Sequence, residues 1–318
     1  MKEEEVINLS KKFKFNAVEA FPLKREASER EYWRIKNNLG ETFILCYLDP
    51  NKGDHSKFIK ISNELKKNNI CGVSIIYHDK QIGVTIQEDL GDKNLISILN
   101  KDNKQELIER SLKLLVKVQE SEIDNLEEFS REDLFEQMNS FKKIFCEQFL
   151  YTESDESISD LITITIEKLY QHPWVNCHFD FERRNLVLNP ENKLTVIDYQ
   201  DMKKGPIGID IAGILVDHYF EMDIEDIKSY LNFFSTKTES KYSNDAFFEF
   251  TRWGCIQRNL RILGTLSSLF LIYNRSFRLI DMPLILKNLI KMIPDEHSSK
   301  VFLEQEVKPL LLKTIDQI

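Results

Sequence analysis

The hydrophobic pattern of this chain changes near residue 90, and that change limits the possible folds more than any other feature. Before it, short runs of β-branched and aromatic residues at 32–35 and 42–47 flank the polar turn 37–40. This arrangement predicts a β-hairpin. Similar runs predict strands at 74–78 and 82–87, whereas 3–13 and 57–68 have the pattern of helices. We therefore expect a small β-rich lobe over residues 1–90.

After Gly91 the apolar residues recur at helical spacing over 95–99, 104–120, 131–150 and 157–172. The exception is a strand-like pair at 186–189 and 194–198, which flanks the turn 190–192. We expect residues 91–318 to form a larger, mostly helical lobe. A chain of 318 residues is long enough for two such lobes.

The motif with the clearest chemistry lies directly before that strand-like pair. Residues 178–185 read His-Phe-Asp-Phe-Glu-Arg-Arg-Asn, and Asp198 ends an apolar run 18 positions after Asp180. Phosphoryl transfer from a nucleotide needs one carboxylate to orient or deprotonate the attacking hydroxyl, and an amide and a second carboxylate to hold magnesium. Asp180 is the candidate base, and Asn185 and Asp198 are the candidate magnesium ligands. A polar loop with solvated acids would explain each residue singly, but it explains the ordered set poorly.

Bulk properties exclude several other functions. The net charge of −9 gives a nucleic-acid partner no electrostatic support, and no basic cluster suits a membrane surface. The first residues lack the apolar core of a signal peptide, and the interrupted stretch 262–273 is too short to span a bilayer. Five scattered cysteines without a C-x-x-C pair argue against a disulfide framework or a zinc site. We expect a protein of the reducing cytoplasm.

These residues resemble the superfamily of aminoglycoside phosphotransferases and choline kinases, which has the protein-kinase-like fold. The run Asp198-Tyr-Gln-Asp, with Gly205-Pro206 and Asp210-Ile-Ala, is similar to D-F-Q-D…G-P…D-L-A of the bacterial N-acetylmuramate/N-acetylglucosamine anomeric kinases. The segments 25–35, 87–92 and 253–264, with Met282-Pro283, are similar to the same branch. The resemblance extends over about residues 25–290.

The resemblance implies an α+β, bilobal protein-kinase-like fold with a nucleotide-binding lobe (1–90) and a catalytic and substrate-binding lobe (91–318). It also implies ATP and Mg²⁺, a cytoplasmic location, and a small-molecule amino sugar as substrate. The γ-phosphate would go to the anomeric hydroxyl, and the α-1-phosphate would enter peptidoglycan recycling. The sequence does not fix the oligomeric state.

Within the resemblance, nucleotide contacts fall on the β-rich lobe. Ala27 and Ser28 would form the turn that takes the place of a glycine-rich phosphate loop. The backbone of Glu88, Asp89 and Leu90 would form hydrogen bonds with adenine. The third strand, 43–47, lacks the lysine with which many kinases contact the phosphates. Arg30 or Arg34, together with magnesium, would have to supply the missing positive charge.

Substrate contacts are expected on a helix around 250–272. Trp253, Ile256, Leu260, Leu263 and Leu266 form a core-facing stripe, while Gly254, Gln257, Arg258 and Arg261 lie on another face. Gln257, Arg258 and Arg261 can bind sugar hydroxyls or a lactyl carboxylate. A solvated face, or pairing with acidic residues of the same lobe, explains the pattern equally well. Asp201 is a further candidate substrate contact, and we expect Asp210 to brace the catalytic loop.

Several alternatives stay open. The acceptor can be another small alcohol, of aminoglycoside or choline type, and N-acetylmuramate is not separated from N-acetylglucosamine. The donor can be GTP. Because the third-strand lysine is missing, a nucleotide-binding module without catalysis is the alternative from a different functional class. No A-P-E segment follows Asp198, so a protein kinase is not expected.

Overall fold

The computed structural model describes residues 1–23 and 29–318, which divide into two compact units. The first, here called the sheet unit, comprises Met1–Ile98, Glu122–Asp124 and Asn185–Asp201. The second, the helical unit, comprises Leu99–Ser121, Asn125–Arg184 and Met202–Ile318. Compactness assigns no role to either unit, so the boundary at residue 90 between a nucleotide-binding and a catalytic lobe stays a prediction.

Strands and helices alternate along the chain as follows. The strands of the described residues are β1 Ala17–Pro22, β2 Glu31–Asn37, β3 Thr42–Tyr47, β4 Ile75–Asp79, β5 Val84–Glu88, β6 Trp174–Cys177, β7 Leu186–Leu188, β8 Leu194–Val196 and β9 Lys203–Pro206. The α-helices there are α1 Glu3–Lys12, α2 Ser56–Lys67, α3 Leu95–Ile98, α4 Lys104–Glu120, α5 Arg131–Ser140, α6 Glu156–Gln171, α7 Gly208–Leu215, α8 Ile224–Ser235, α9 Asn244–Tyr273, α10 Met282–Met292, α11 Ser299–Phe302 and α12 Lys308–Asp316. Short 3₁₀ helices cover Arg183–Asn185 and Ser276–Asp281, and π-helical segments cover Phe141–Phe149 and Leu303–Val307.

The sheet unit contains an antiparallel sheet with the strand order β1-β2-β3-β5-β4 among the described residues. The predicted hairpin is confirmed, since β2 pairs with β3 and Trp33 lies opposite Leu45. Alternate side chains of these strands point to one face, where Trp33, Ile35, Leu45, Val84 and Ile86 are buried with Val6 of α1. The sequence analysis missed β1, whose edge position tolerates the exposed Glu19 and the terminal Pro22.

The helical unit is organised around α9, which is 30 residues long and starts where the Ser243 hydroxyl accepts a hydrogen bond from the Ala246 N–H. The predicted apolar stripe is confirmed, because Trp253, Ile256, Leu260, Leu263 and Leu266 are all buried. The face predicted to be polar is also largely buried. α9 is therefore enclosed by α5, α7 and α10 rather than lying at the surface.

Two glycines allow α7 to lie directly against α9. A Cβ atom at Gly254 would come within 2.3 Å of the Gly208 carbonyl, and one at Gly208 within 1.8 Å of the Phe250 carbonyl oxygen. Real Cβ atoms do not approach backbone this closely, so only glycine fits both positions. The contact brings the polar residues of the two helices within reach of the same loop.

The sequence analysis also missed the antiparallel pair β6–β9, in which Val175 lies opposite Gly205. Each strand is only four residues long and too short for a periodic signal. The pair nevertheless positions the motif loop, since β6 ends immediately before His178 and β9 leads into α7. With a small antiparallel sheet and 53% helix, the α+β class is confirmed.

Candidate active site

The loop that follows β6 carries Asp180 and is held by the start of α7. Both carboxylate oxygens of Asp210 accept backbone N–H groups, one from His178 at 2.6 Å and one from Phe179 at 2.8 Å. The Asp180 N–H donates to His178 Nδ1 at 3.3 Å. Asp210 thus braces the loop, as the sequence predicted, and His178 contributes a further contact within it. Burial of Asp210 raises the pKa of its carboxyl, and the two backbone donors and His178 offset part of that rise.

The backbone of this loop is strained and closely packed. Phe179 has a φ of +67°, a conformation that side chains other than glycine rarely adopt. Its ring stacks on Phe129 with 4.5 Å between the centroids. A Cβ at Gly213 of α7 would lie 2.4 Å from the Phe181 carbonyl oxygen. Strain of this kind persists where surrounding contacts enforce it, and it is frequent at active sites.

Two arginines of α9 reach the Asp180 carboxylate. Arg261 Nη2 lies 2.7 Å from Oδ1 and also donates to the Phe179 carbonyl oxygen at 3.2 Å, whereas Arg258 Nη1 lies 3.6 Å from the same Oδ1. Burial by itself would raise the pKa of Asp180, but the two guanidinium groups together lower it to about 2. The side chain keeps 41% of its surface exposed. Asp180 is therefore an ionised and accessible carboxylate at neutral pH.

Glu182 extends this charge network, and the sequence analysis did not identify it. Its carboxylate pairs with Arg258 on one oxygen and with Arg184 on the other. The Glu182 and Arg258 side chains are 2% and 1% exposed, so each charge depends on the other for compensation. Burial alone would raise the Glu182 pKa, but Arg258 and Arg184 lower it. Glu182 lies between Asp180 and Asn185 in the sequence motif, and this position is the signal by which the sequence analysis could have identified it.

A second pair of motif residues lies at the end of the β7–β8 hairpin in the sheet unit. Asn185 directly precedes β7, and its carbonyl oxygen accepts the Ile197 N–H at 3.0 Å. Asp198 follows Ile197 with a φ of +62°, again in the left-handed region. Its side chain is exposed, and Oδ1 accepts a hydrogen bond from the Gln200 amide at 2.9 Å. The hairpin thus holds the backbone of Asn185 against the residue directly before Asp198, and their role as magnesium ligands stays a prediction.

The chemistry of this pair suits magnesium, which prefers oxygen ligands and retains several waters or phosphate oxygens. An amide oxygen and one exposed carboxylate fit that preference. No group of three or more His, Cys, Asp or Glu side chains suited to a metal occurs in 1–23 and 29–318. The pair therefore fits a metal shared with a nucleotide better than a closed protein site.

The segment after β5 and the predicted cation Arg34 are joined to each other. Arg34 binds Asp89 through two hydrogen bonds of 2.7 and 3.0 Å, and it also reaches Asp92 at 2.8 Å. The Glu88 carboxylate accepts the Ser74 N–H at 2.6 Å, and Leu90 follows it at the strand end. The carboxylates of Glu88 and Asp89 are thus structural, which leaves the backbone of 88–90 as the predicted adenine contact. Arg34 pairs with Asp89 and Asp92, so its predicted phosphate contact competes with these two carboxylates.

The other predicted nucleotide residues are placed as follows. Arg30 precedes β2, and its charge partly offsets the burial that raises the pKa of the Cys46 thiol to about 12. Ala27 and Ser28 lie outside the described residues. Their predicted phosphate contact stays a prediction, as does that of Arg30.

The predicted substrate residues are in different environments. Gln257 is 1% exposed and donates to the Gln137 side chain at 2.8 Å. Arg258 is equally buried. Arg261 keeps 19% of its side chain exposed, and Asp201, in the sheet unit, is exposed and accepts from Gln200 at 3.2 Å. Pairing with acidic residues, one of the alternatives considered, accounts for both arginines, and Arg261 and Asp201 keep more surface for a ligand.

Comparisons with known proteins identify the family. The Phosphotransferase enzyme family, APH, matches residues 20–242. A curated N-acetylmuramate/N-acetylglucosamine kinase of Neisseria meningitidis serogroup B is 23% identical over 259 residues, which cover 77% of each chain.

Solved structures extend the comparison to the fold. The choline kinase LicA of Streptococcus pneumoniae has a TM-score of 0.66 at 14% identity and covers 90% of this chain and 98% of its own. A spectinomycin phosphotransferase solved with ADP and spectinomycin has a TM-score of 0.63 at 13% identity, covering 100% of this chain and 99% of its own. The predicted protein-kinase-like fold is confirmed. None of the helices in the described residues is long and apolar enough to cross a membrane. The chain belongs to the phosphotransferase enzyme family APH and is an ATP-dependent phosphotransferase that acts on an alcohol group.

Proposed function

We propose that this protein transfers the γ-phosphate of ATP to the anomeric hydroxyl of N-acetylmuramate or N-acetylglucosamine. The observation that carries the proposal is the ionised, accessible Asp180 carboxylate, held 2.7 Å from Arg261 on a helix whose sequence is similar to the amino-sugar kinases. The similarity to the Neisseria enzyme supports the same acceptor.

In this proposal Asp180 orients the acceptor hydroxyl and takes its proton as the bond to phosphorus forms. Asn185 and Asp198 hold magnesium, which neutralises charge on the phosphates when bound. The backbone of Glu88, Asp89 and Leu90 binds adenine, and the turn at Ala27 and Ser28, with Arg30, contacts the phosphates. Asp201 and Arg261 are the proposed acceptor contacts.

The charges around Asp180 favour a neutral or anionic acceptor. Arg258 and Arg261 face the base, and Arg184 pairs with the neighbouring Glu182. A quaternary ammonium group is recognised by aromatic or acidic surroundings, and a polyamine by acidic ones. Because Asp180 and Glu182 are already paired with arginines, their charges are compensated and attract the cationic groups of choline or an aminoglycoside only weakly.

We place this activity in the cytoplasm, as a step of peptidoglycan recycling. All five cysteines are free thiols, four of them buried, which suits a reducing compartment.

A panel of acceptors tests the proposal. N-acetylmuramate, N-acetylglucosamine, an aminoglycoside and choline are each incubated with ATP and magnesium, with Asp180→Asn as the inactive control. We expect phosphorus NMR to detect an α-anomeric phosphate with one or both amino sugars and none with the control. Phosphorylation of only choline or the aminoglycoside would refute the sugar assignment. A parallel series with GTP identifies the donor.

A further inference from the structure

We propose that Arg261 is a positioning residue that keeps the Asp180 carboxylate ionised and aims it at the acceptor hydroxyl. This inference rests on the proposed function, since it concerns the base of that reaction. It gives Arg261 a role that acts through Asp180, in addition to the acceptor contact proposed for it.

One guanidinium nitrogen makes both contacts that matter. Arg261 Nη2 donates to Asp180 Oδ1 at 2.7 Å and to the Phe179 carbonyl oxygen at 3.2 Å. The carbonyl belongs to the residue directly before the base, in a loop that is strained at Phe179. The arginine therefore ties the carboxylate to its own backbone, which restricts rotation of the Asp180 side chain.

The groups that face Asp180 explain why Arg261 is needed. On the same loop Glu182 repels the carboxylate and His178 favours its ionised form, and behind the loop α7 contributes the buried Asp210. Burial also favours the protonated form. Arg258 and Arg261, both on α9, supply guanidinium charge to Asp180 and offset these unfavourable contributions.

The two arginines do not share this task equally. Arg258 lies farther from Asp180, is 1% exposed and is paired with Glu182, whose charge would be left buried without it. Arg261 is 19% exposed and makes the shorter contact. Its replacement therefore changes the charge at Asp180 without leaving a fully buried acid unpaired.

Two substitutions separate charge from geometry. Arg261→Gln removes the charge, and Arg261→Lys keeps it but loses the planar donor group. Arg252→Gln is the matched control, since Arg252 lies on the same helix and pairs with Glu249 at 2.7 Å, three residues away.

For Arg261→Gln we expect the acid limb of the kcat/KM profile to move up by about 1 to 3 pH units, because an opposite charge this close lowers a carboxyl pKa by that amount. We expect kcat to fall up to about 100-fold and the KM for ATP to stay unchanged, since misplacing a catalytic group affects the chemical step. Arg261→Lys should keep the wild-type acid limb while losing part of kcat. Arg252→Gln should behave as wild type.

A second measurement does not depend on activity. The Asp180 carboxyl carbon is labelled with ¹³C, assigned by its absence in Asp180→Asn, and titrated. We expect its midpoint in Arg261→Gln to lie about 1 to 3 pH units above that of wild type. Identical titrations and identical acid limbs would overturn the role of Arg261. If wild type phosphorylates no acceptor, the proposed function fails, and the carbon titration still decides whether Arg261 controls the charge of Asp180.

Discussion

The two motif aspartates occupy opposite environments. Asp180, in the helical unit, contacts Arg261 at 2.7 Å and Arg258 at 3.6 Å, and Arg258 also pairs with the buried Glu182. Asp198, in the sheet unit, is exposed, and its Oδ1 accepts a hydrogen bond from the neutral Gln200 amide at 2.9 Å. The Asp180 carboxylate has cationic side chains beside it, whereas the Asp198 carboxylate accepts a hydrogen bond from a neutral amide.

This difference indicates a division of roles. A carboxylate that is already compensated by arginine can stay ionised and oriented without a metal. An exposed carboxylate beside an amide oxygen still has capacity to bind a divalent cation. We therefore propose Asp180 as base and Asp198 as metal ligand rather than the reverse, although the two have the same side chain.

Replacing the base should have the largest effect. Asp180→Asn keeps the shape of the side chain but removes the proton acceptor, so we expect kcat to fall by about 10² to 10⁴-fold. Binding of ADP with magnesium, measured by calorimetry, should be unchanged. Full activity in this variant would show that Asp180 is not the base, and it would refute the proposed difference in role between Asp180 and Asp198.

Breaking a buried ion pair in the helical unit should be nearly as costly. Arg183 Nε lies 2.8 Å from Asp217 Oδ2, and both side chains are at most 1% exposed. Arg183→Met leaves the Asp217 charge without compensation, which costs about 3 to 5 kcal/mol in the free energy of unfolding.

Chemical denaturation measures this loss. The double variant Arg183→Met/Asp217→Asn should regain part of the stability, because an asparagine oxygen can still accept the N–H groups of Tyr219 and Phe220. A single variant as stable as wild type would show that buried charge does not stabilise this unit.

In the sheet unit we expect a binding defect without a loss of stability. Asp198→Asn removes the charge of a proposed magnesium ligand, so the affinity for ATP should fall about 10- to 100-fold with magnesium present and change little with EDTA. Because Asp198 is exposed and asparagine also adopts a left-handed φ such as the +62° found here, the free energy of unfolding of the variant should stay within about 0.5 kcal/mol of wild type. Magnesium-dependent ATP affinity equal to wild type would count against the metal role.

The smallest effect should come from a buried histidine of the helical unit. His172 is 8% exposed and packs on Phe250, and burial lowers its pKa to about 4. Below pH 6.5 His172 becomes protonated in the unfolded chain, whereas in the folded chain it stays neutral down to about pH 4. The free energy of unfolding therefore falls as the pH is lowered towards 4. Between pH 7.5 and 5 this costs roughly 2 kcal/mol.

His172→Phe should remove that part of the pH dependence. Thermal unfolding of both proteins across this range gives the difference. Equal slopes for wild type and variant would mean that His172 titrates alike in the folded and unfolded states.

Local patterns made most of the elements predictable. The β2–β3 hairpin, α2, α4 and the stripe of α9 each depend on residues close together in the chain, whose periodicity is visible in the sequence. The strands β1, β6 and β9 were missed because they are short and gain their stability from partners far away in sequence. The motif identified Asp180, Asn185 and Asp198 as candidate site residues. It did not show that Glu182 pairs with Arg258.

The face of α9 shows where sequence reasoning reached its limit. Gln257, Arg258 and Arg261 lie on one side of the helix, and their polarity was compatible with substrate, solvent or acidic partners. Burial of Gln257 and Arg258 and the contacts of both arginines now favour acidic partners over solvent. Side-chain type does not reveal what a helix face packs against.

By itself, the sequence determined the α+β class and the ordered set of motif residues, since periodicity and spacing along the chain encode these features, and its resemblance to known kinases gave the family. The tertiary structure decided which charges meet. The close approach of α7 and α9 at Gly208 and Gly254 places Asp210, Arg258 and Arg261 around one loop, although they are far from it in sequence. Electrostatic interactions depend on distance and burial, and both are set only when the chain is folded.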